Sequence, residues 1–185
     1  MKKPKNIVKY FIGFSLCLLI RLIPFRPPNV EPVTATMLPF GKKRGWLAAA
    51  IFGIASIVLF DIITWKIGIW TIVTATMFGL IGAASGLYLK NKKNKIRYYV
   101  GFSIIATLVY DFITGPVMSS MIWEMPFMIS LIGQIPFTIN HLVGNIVLSA
   151  LLSPILYRWV VDNKHLELDK LKHSFLTTLK NLNEL

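Results

Sequence analysis

The sequence is poor in acidic residues and almost empty of cysteine. Eight Asp and Glu stand against 20 Lys and Arg, and 15% of the 185 residues are charged. A soluble domain usually carries about a quarter. The single cysteine, Cys17, excludes an intramolecular disulfide and a thiolate metal cluster. No GxxxxGK[ST] loop, HExxH pair, Cys/His cluster or GxSxG elbow occurs, so nucleotide, metal and serine-hydrolase chemistry lack support. No metal, no cofactor and no enzymatic activity are expected. What is abundant is apolar: 55% of residues are hydrophobic, in runs of about 20 that match a hydrocarbon core. A soluble single-core enzyme is excluded. The fold class expected is an all-α membrane protein.

On a soluble chain the net charge of +12 would point to nucleic acid. Here the cations fall between the apolar runs. Spans are predicted near 7–24, 46–64, 70–89, 98–117 and 136–159, the last preceded by a separate outer segment near 127–134. Pro136 suits a helix start. Residues 25–29, with tandem Pro27 and Pro28, form a turn, as do Trp65 and Lys66; 118–126 is read as a loop. The short run Val30–Phe40 covers only roughly 16 Å, or roughly 25 Å when extended to 29–45. Counting it as a crossing puts Lys2, Lys3, Lys5 and Lys9 on one side with Lys42, Lys43 and Arg44. The loop cations Lys90, Lys92, Lys93, Lys95 and Arg97 and the C-terminal cations from Arg158 onward join them. Arg26 and Lys66 remain opposite. The positive-inside rule therefore favours a six-helix transmembrane bundle with cytoplasmic N- and C-termini, and nucleic acid is not an expected partner. Trp46, Trp65, Trp70, Trp123 and Trp159 all fall at interfaces or in an outer loop, as an aromatic belt requires.

The basic, apolar start resembles a signal peptide, but no small-x-small cleavage site follows, so a retained first helix is expected. The transmembrane domain covers 1–160. In the tail, 161–185, Leu168, Leu171, Phe175, Leu179 and Leu182 recur at helical spacing among lysines. That pattern suits an amphipathic helix on the inner lipid surface or a partly ordered tail.

Ionisable groups in lipid mark function by default. They are few here: Arg21, Glu31, Asp61 and Asp111, all toward the outer side. Phe60-Asp61-Ile62-Ile63-Thr64 and Tyr110-Asp111-Phe112-Ile113-Thr114 echo each other at the ends of two spans. The last span carries Thr138, His141, Asn145 and Ser149 on one helical face, with Gln134 toward the mouth. These groups either bind a solute or hydrogen-bond between helices and to backbone. Trp65, Trp70 and Trp123 are placed to stack on a flat ring or close the mouth. Small residues mark packing faces: Gly13 and Cys17, Ala49 and Gly53, and Gly79, Gly82, Ala83 and Gly86. They serve packing within the chain or, as the sharper expectation for Gly13, Cys17, Gly82 and Gly86, an interface with another membrane subunit.

Six short helices, inside termini and polar groups gathered outside resemble the substrate-binding S components of energy-coupling factor (ECF) transporters. The stretches Arg26-Pro27-Pro28-Asn29-Val30-Glu31-Pro32 and Gly133-Gln134-Ile135-Pro136-Phe137-Thr138-Ile139-Asn140-His141-Leu142-Val143-Gly144-Asn145 carry the local likeness. The resemblance implies a plasma-membrane subunit that captures a vitamin-like solute such as riboflavin, thiamine, cobalamin or a queuosine-type base. It implies a transmembrane coupling subunit and two ATPase subunits as partners. The family's Ala-xxx-Ala face is replaced here by Gly13-xxx-Cys17. Arg21, Glu31, Asp61, Trp65, Trp70, Asp111, Gln134, Thr138, His141 and Asn145 are the expected binding residues. One rival is a small structural scaffold of a cell-envelope complex, of the MreD type. Another is an intramembrane enzyme using His141 with a carboxylate, although no spacing brings those groups together.

Overall fold

The computed structural model describes residues 7–25, 27 and 29–172. Among these every regular element is helical: α1 Ile7–Leu22, α2 Pro32–Arg44, α3 Trp46–Ile63, α4 Ile69–Leu89, α5 Ile96–Phe112, α6 Met118–Trp123 and α7 Phe127–Leu156. Four helical stretches are long and apolar enough to cross a membrane: α3, α4, Ile96–Trp123 and Phe127–Val161. The described α1 and α2, with 16 and 13 residues, are shorter than that.

The short helix α2 lies at the centre of the bundle. Every residue from Pro32 to Gly41 is buried, packed by α1, α3, α4 and α7. Pro32 opens it at a position that needs no N–H, and the Thr36 hydroxyl donates to the Pro32 carbonyl at 2.8 Å. Pro39 has no N–H for the carbonyl of Ala35, four residues back. Ser153 of α7 supplies the missing donor, its Oγ lying 2.7 Å from that oxygen. A neighbouring helix thus repairs the defect a proline leaves, as buried backbone in an apolar setting requires. At its far end Lys42 donates to the carbonyls of Leu89 and Lys92.

Two expected breaks in the chain are absent. Residues 118–123, expected as loop, continue the helix that begins at Ile96. Pro116 cannot donate to Phe112, and the chain widens into a π turn over Ile113–Val117 instead of stopping. The expected split at Pro136 is also overturned: α7 runs unbroken through Pro136 and Pro154 for 30 residues, roughly 45 Å. A lost hydrogen bond per proline is tolerated where flanking turns hold the helix.

The small-residue faces close the bundle from within. A Cβ at Gly82 would stand 2.5 Å from the Ala49 carbonyl, and one at Gly86 would overlap the Trp46 backbone. A Cβ at Gly13 would stand 2.7 Å from the Phe40 ring, and Cys17 is fully buried. Gly13, Cys17, Gly82 and Gly86, expected to face another membrane subunit, are each taken up by packing between α1, α2, α3 and α4 within the chain. Around Gly13 the rings of Tyr10, Phe40, Phe52 and Phe14 stack in series, with neighbouring centroids 4.3–4.8 Å apart.

Lys9 is buried here, and its amine donates to the Val161 carbonyl at 3.1 Å, tying α1 to the π turn Tyr157–Val161 that follows α7. Lys43 reaches Asp162 at 2.5 Å and its hydrogen bond holds that carboxyl below the usual carboxylate range. Both partners are about half exposed, so the pair contributes little to stability. In the tail, Leu168 and Leu171 lie in a short helical turn, while Phe175, Leu179 and Leu182 lie outside the described residues.

Candidate functional site

The opposite half of the bundle is hollow. The last turn of α1, the residues before α2, the end of α3, the start of α4, the end of α5 and the middle of α7 surround a cavity of about 530 Å³. Of the ten residues expected in a site, Arg21, Glu31, Asp61, Trp70, Asp111, Gln134 and His141 line it. Trp65, Thr138 and Asn145 do not. Trp65 sits in the left-handed turn after α3, φ 57°, and is 94% exposed.

Arg21 is held three ways. Its Nε lies 3.1 Å from Glu31 Oε2, its Nη1 donates to the Ser56 carbonyl at 3.1 Å, and its guanidinium stacks 3.8 Å above the Phe60 ring. The expensive cation at the end of α1 is thereby neutralised and covered. Asp61 accepts from the Thr71 hydroxyl at 2.6 Å, and Thr71 accepts from the Gly68 N–H at 3.1 Å. That network closes the α3–α4 turn while leaving the carboxylate on the cavity wall.

The deepest polar groups are Asp111 and His141, each 4% exposed. Asp111 Oδ1 lies 2.8 Å from His141 Nδ1, and Tyr110 packs edge-on against the imidazole. The helix runs on past Asp111 to Trp123, so this carboxylate lies well below the helix end that the sequence suggested. One turn further in, Asn145 Nδ2 donates to Thr107 Oγ1 at 2.7 Å. Asp111 and Thr107 are four residues apart on α5, as are His141 and Asn145 on α7, so the antiparallel helices meet in two polar rungs. The lower rung is a structural bond between helices. The upper rung differs in that Asp111 and His141 line the cavity whereas Thr107 and Asn145 do not; Asp111 Oδ2, His141 Nε2 and Asn145 Oδ1 are alike buried without a hydrogen-bond partner among the described residues.

The two echo motifs share a local device. Thr64 donates to the Phe60 carbonyl and Thr114 to the Tyr110 carbonyl, both at 2.8 Å. In one copy the helix then ends; in the other it widens into the π turn. The aromatic of each copy backs a polar cavity group, Phe60 under Arg21 and Tyr110 beside His141.

Sequence reasoning missed Asn29, Lys66, Thr74, Thr114, Phe137 and the aromatic pair Phe78 and Tyr110, whose tilted rings have centroids 4.9 Å apart. The Tyr110 position was legible in the echo motif; the rest are turn or mid-helix residues without a pattern of their own. At the rim, the Trp70 and Trp123 rings lie 5.1 Å apart. A second hollow of about 400 Å³, walled mainly by apolar side chains of α5 and α7, contains Thr138 and shares Asp111 and Gln134 with the first.

These features define an all-helical bundle with membrane-length apolar helices and a charged cavity in one half. The chain belongs to the DUF6580 family, a family of unknown function whose model matches residues 1–165. No curated protein and no solved structure matches it.

Proposed function

We propose that the protein is a solute-binding membrane subunit of the ECF S-component kind, capturing a small polar molecule in the cavity from outside the cell. The observation that carries this reading is the cavity of about 530 Å³ whose walls bring together Arg21, Glu31, Asp61 and the buried Asp111–His141 pair. A scaffold that only packs against other subunits has no use for such a hollow. The His141–Asp111 pair also suits a second reading, acid–base chemistry within the membrane. That reading is weaker, since among the described residues no serine or cysteine nucleophile lines the cavity.

In this proposal the chain crosses the plasma membrane six times, with α1 and α2 as short crossings and both termini in the cytoplasm. A short α2 is acceptable because protein, not lipid, surrounds it. Orientation is tested by cysteine labelling, for which the native background is low because Cys17 is fully buried. Lys93→Cys is expected to resist an impermeant thiol reagent in intact cells, and Trp123→Cys to react. The reverse pattern overturns the orientation and moves the cavity to the cytoplasm.

Release of the solute inward needs energy this chain has no nucleotide motif to harvest. A transmembrane coupling subunit with two ATPases would supply it. In liposomes the purified chain is expected to bind solute saturably yet not accumulate it until those partners are added. ATP-driven accumulation by the chain alone would defeat the proposal.

A further inference from the structure

We propose that the loop between α4 and α5 binds the phosphate heads of anionic phospholipids where the two helices leave the bilayer. The proposal is independent of the solute-binding reading. Residues 90–97 hold five cations, Lys90, Lys92, Lys93, Lys95 and Arg97, and no acidic residue. All five are exposed, and none meets a carboxylate among the described residues. By contrast, Lys9, Lys42 and Lys43 at the same end of the bundle are used within the chain. Lys9 donates to the Val161 carbonyl, Lys42 to the carbonyls of Leu89 and Lys92, and Lys43 pairs with Asp162. Like charges as close as those of the loop repel one another. A surface of fixed negative charge relieves that repulsion more fully than dilute counterions do.

The loop is held in shape, so its cations are presented in a fixed arrangement. Lys42 grips its first turn from α2, and the Lys92 N–H donates to the Leu89 carbonyl at 3.0 Å. The buried Tyr99 donates its hydroxyl to Asn94 Oδ1 at 2.8 Å. Lys92 Nζ lies 5.4 Å from the Tyr88 ring and 5.6 Å from the Tyr98 ring, and Arg97 donates to the Tyr98 hydroxyl at 2.8 Å. These contacts orient two of the cations yet leave both with donors to spare. Tyrosines are enriched at the membrane boundary, where the ring sits among lipid heads. α4 and the helix from Ile96 are both of membrane length, so the loop joining them stands at the level of the phosphates. Beside it Leu87, Ile96 and Ile105 expose apolar side chains along which acyl chains can lie. A soluble anion would meet the charge but not this apolar flank, so a phospholipid is the occupant that fits both.

The test reconstitutes the full chain in phosphatidylcholine vesicles with an acceptor dye on Asn91→Cys, since native Cys17 is fully buried. The vesicles carry a trace of phosphatidylglycerol or of phosphatidylcholine, each with a donor fluorophore on an acyl chain so that the head stays intact. Energy transfer should report phosphatidylglycerol enriched at the loop about fivefold over phosphatidylcholine, the effect of one cation at an anionic surface. A dye on Ile67→Cys, near the other end of α4, should see both lipids equally. Lys90, Lys93 and Lys95 are exposed and make no side-chain hydrogen bond among the described residues. Lys90→Gln/Lys93→Gln/Lys95→Gln should therefore abolish the preference without moving the melting temperature, and Lys90→Arg/Lys93→Arg/Lys95→Arg should keep it. Equal transfer from both lipids at Asn91→Cys overturns the proposal and leaves the loop to an acidic protein surface. A preference erased by inorganic phosphate at constant ionic strength overturns it in favour of a soluble anion. One that survives the glutamine triple, or is as large at Ile67→Cys, overturns the placement on this loop.

Discussion

Replacing Gly86 by leucine will prevent α3 and α4 from closing and will sharply lower the yield of folded protein. The position faces the backbone of Trp46 and of Gly45, whose carbonyl carbon would stand 2.6 Å from an added Cβ. A flexible side chain can yield to such an intrusion, but backbone at the start of a helix cannot without parting the pair. Overpacking usually costs about 1–3 kcal/mol, and a clash with rigid backbone belongs at or above the top of that range. Gly101→Leu is the matched control, since nothing lies within 4 Å of a Cβ there. In detergent the Gly86 variant should melt well below wild type, and the Gly101 variant within about 0.5 kcal/mol of it. A Gly86→Leu protein of normal stability that only loses a partner subunit would restore the interface role expected from sequence.

That contrast shows what the pattern of residues discloses and what it hides. Small-xxx-small spacing locates a close approach between helices, and Gly82 and Gly86 do mark one. Spacing carries no information on whether the approaching surface belongs to the same chain; the hairpin of α3 and α4 decides it. Prolines misled for a related reason. Pro116 and Pro136 are legible as helix breakers, but α5 and α7 tolerate them by widening a turn or forgoing one bond, which depends on neighbouring helices. The Ser153 bond that frees Pro39 from penalty spans 118 residues, beyond any local pattern. The site was more legible than the packing. Carboxylates within apolar runs are costly enough that Asp61 and Asp111 had to find water, partners or a ligand. The polar face of α7 was also plain, yet its register was not: His141 reaches the cavity, Asn145 bonds Thr107, and Thr138 turns to the second hollow. Only the crossing of α5 and α7 brings His141 to Asp111, which separates them from an accidental pair of polar residues.

Asp111→Asn and His141→Ala are each expected to weaken binding of the solute about 5- to 150-fold, the effect of losing about 1–3 kcal/mol of contact. Each change also disturbs the rung itself. Removing one partner of a buried hydrogen-bonded pair leaves the other unsatisfied and typically costs about 1–3 kcal/mol of stability. Lost binding in a single variant is therefore open to a merely structural explanation. The double variant Asp111→Leu/His141→Phe separates the two, because replacing both members by apolar groups of similar volume is often neutral for folding. A pair that only holds α5 to α7 predicts recovery of stability and of binding together. A pair that contacts solute predicts recovered stability with binding still absent. The lower rung supplies the complement: Thr107→Val/Asn145→Leu removes a bond of 2.7 Å between the same helices at residues that do not line the cavity. It should leave the dissociation constant within about twofold, an energy of about 0.4 kcal/mol, whether or not the melting temperature moves. If the lower-rung variant loses binding as severely as the upper one, both rungs serve the bundle alone. If instead only the upper rung governs affinity, Asp111 and His141 are where the solute is held.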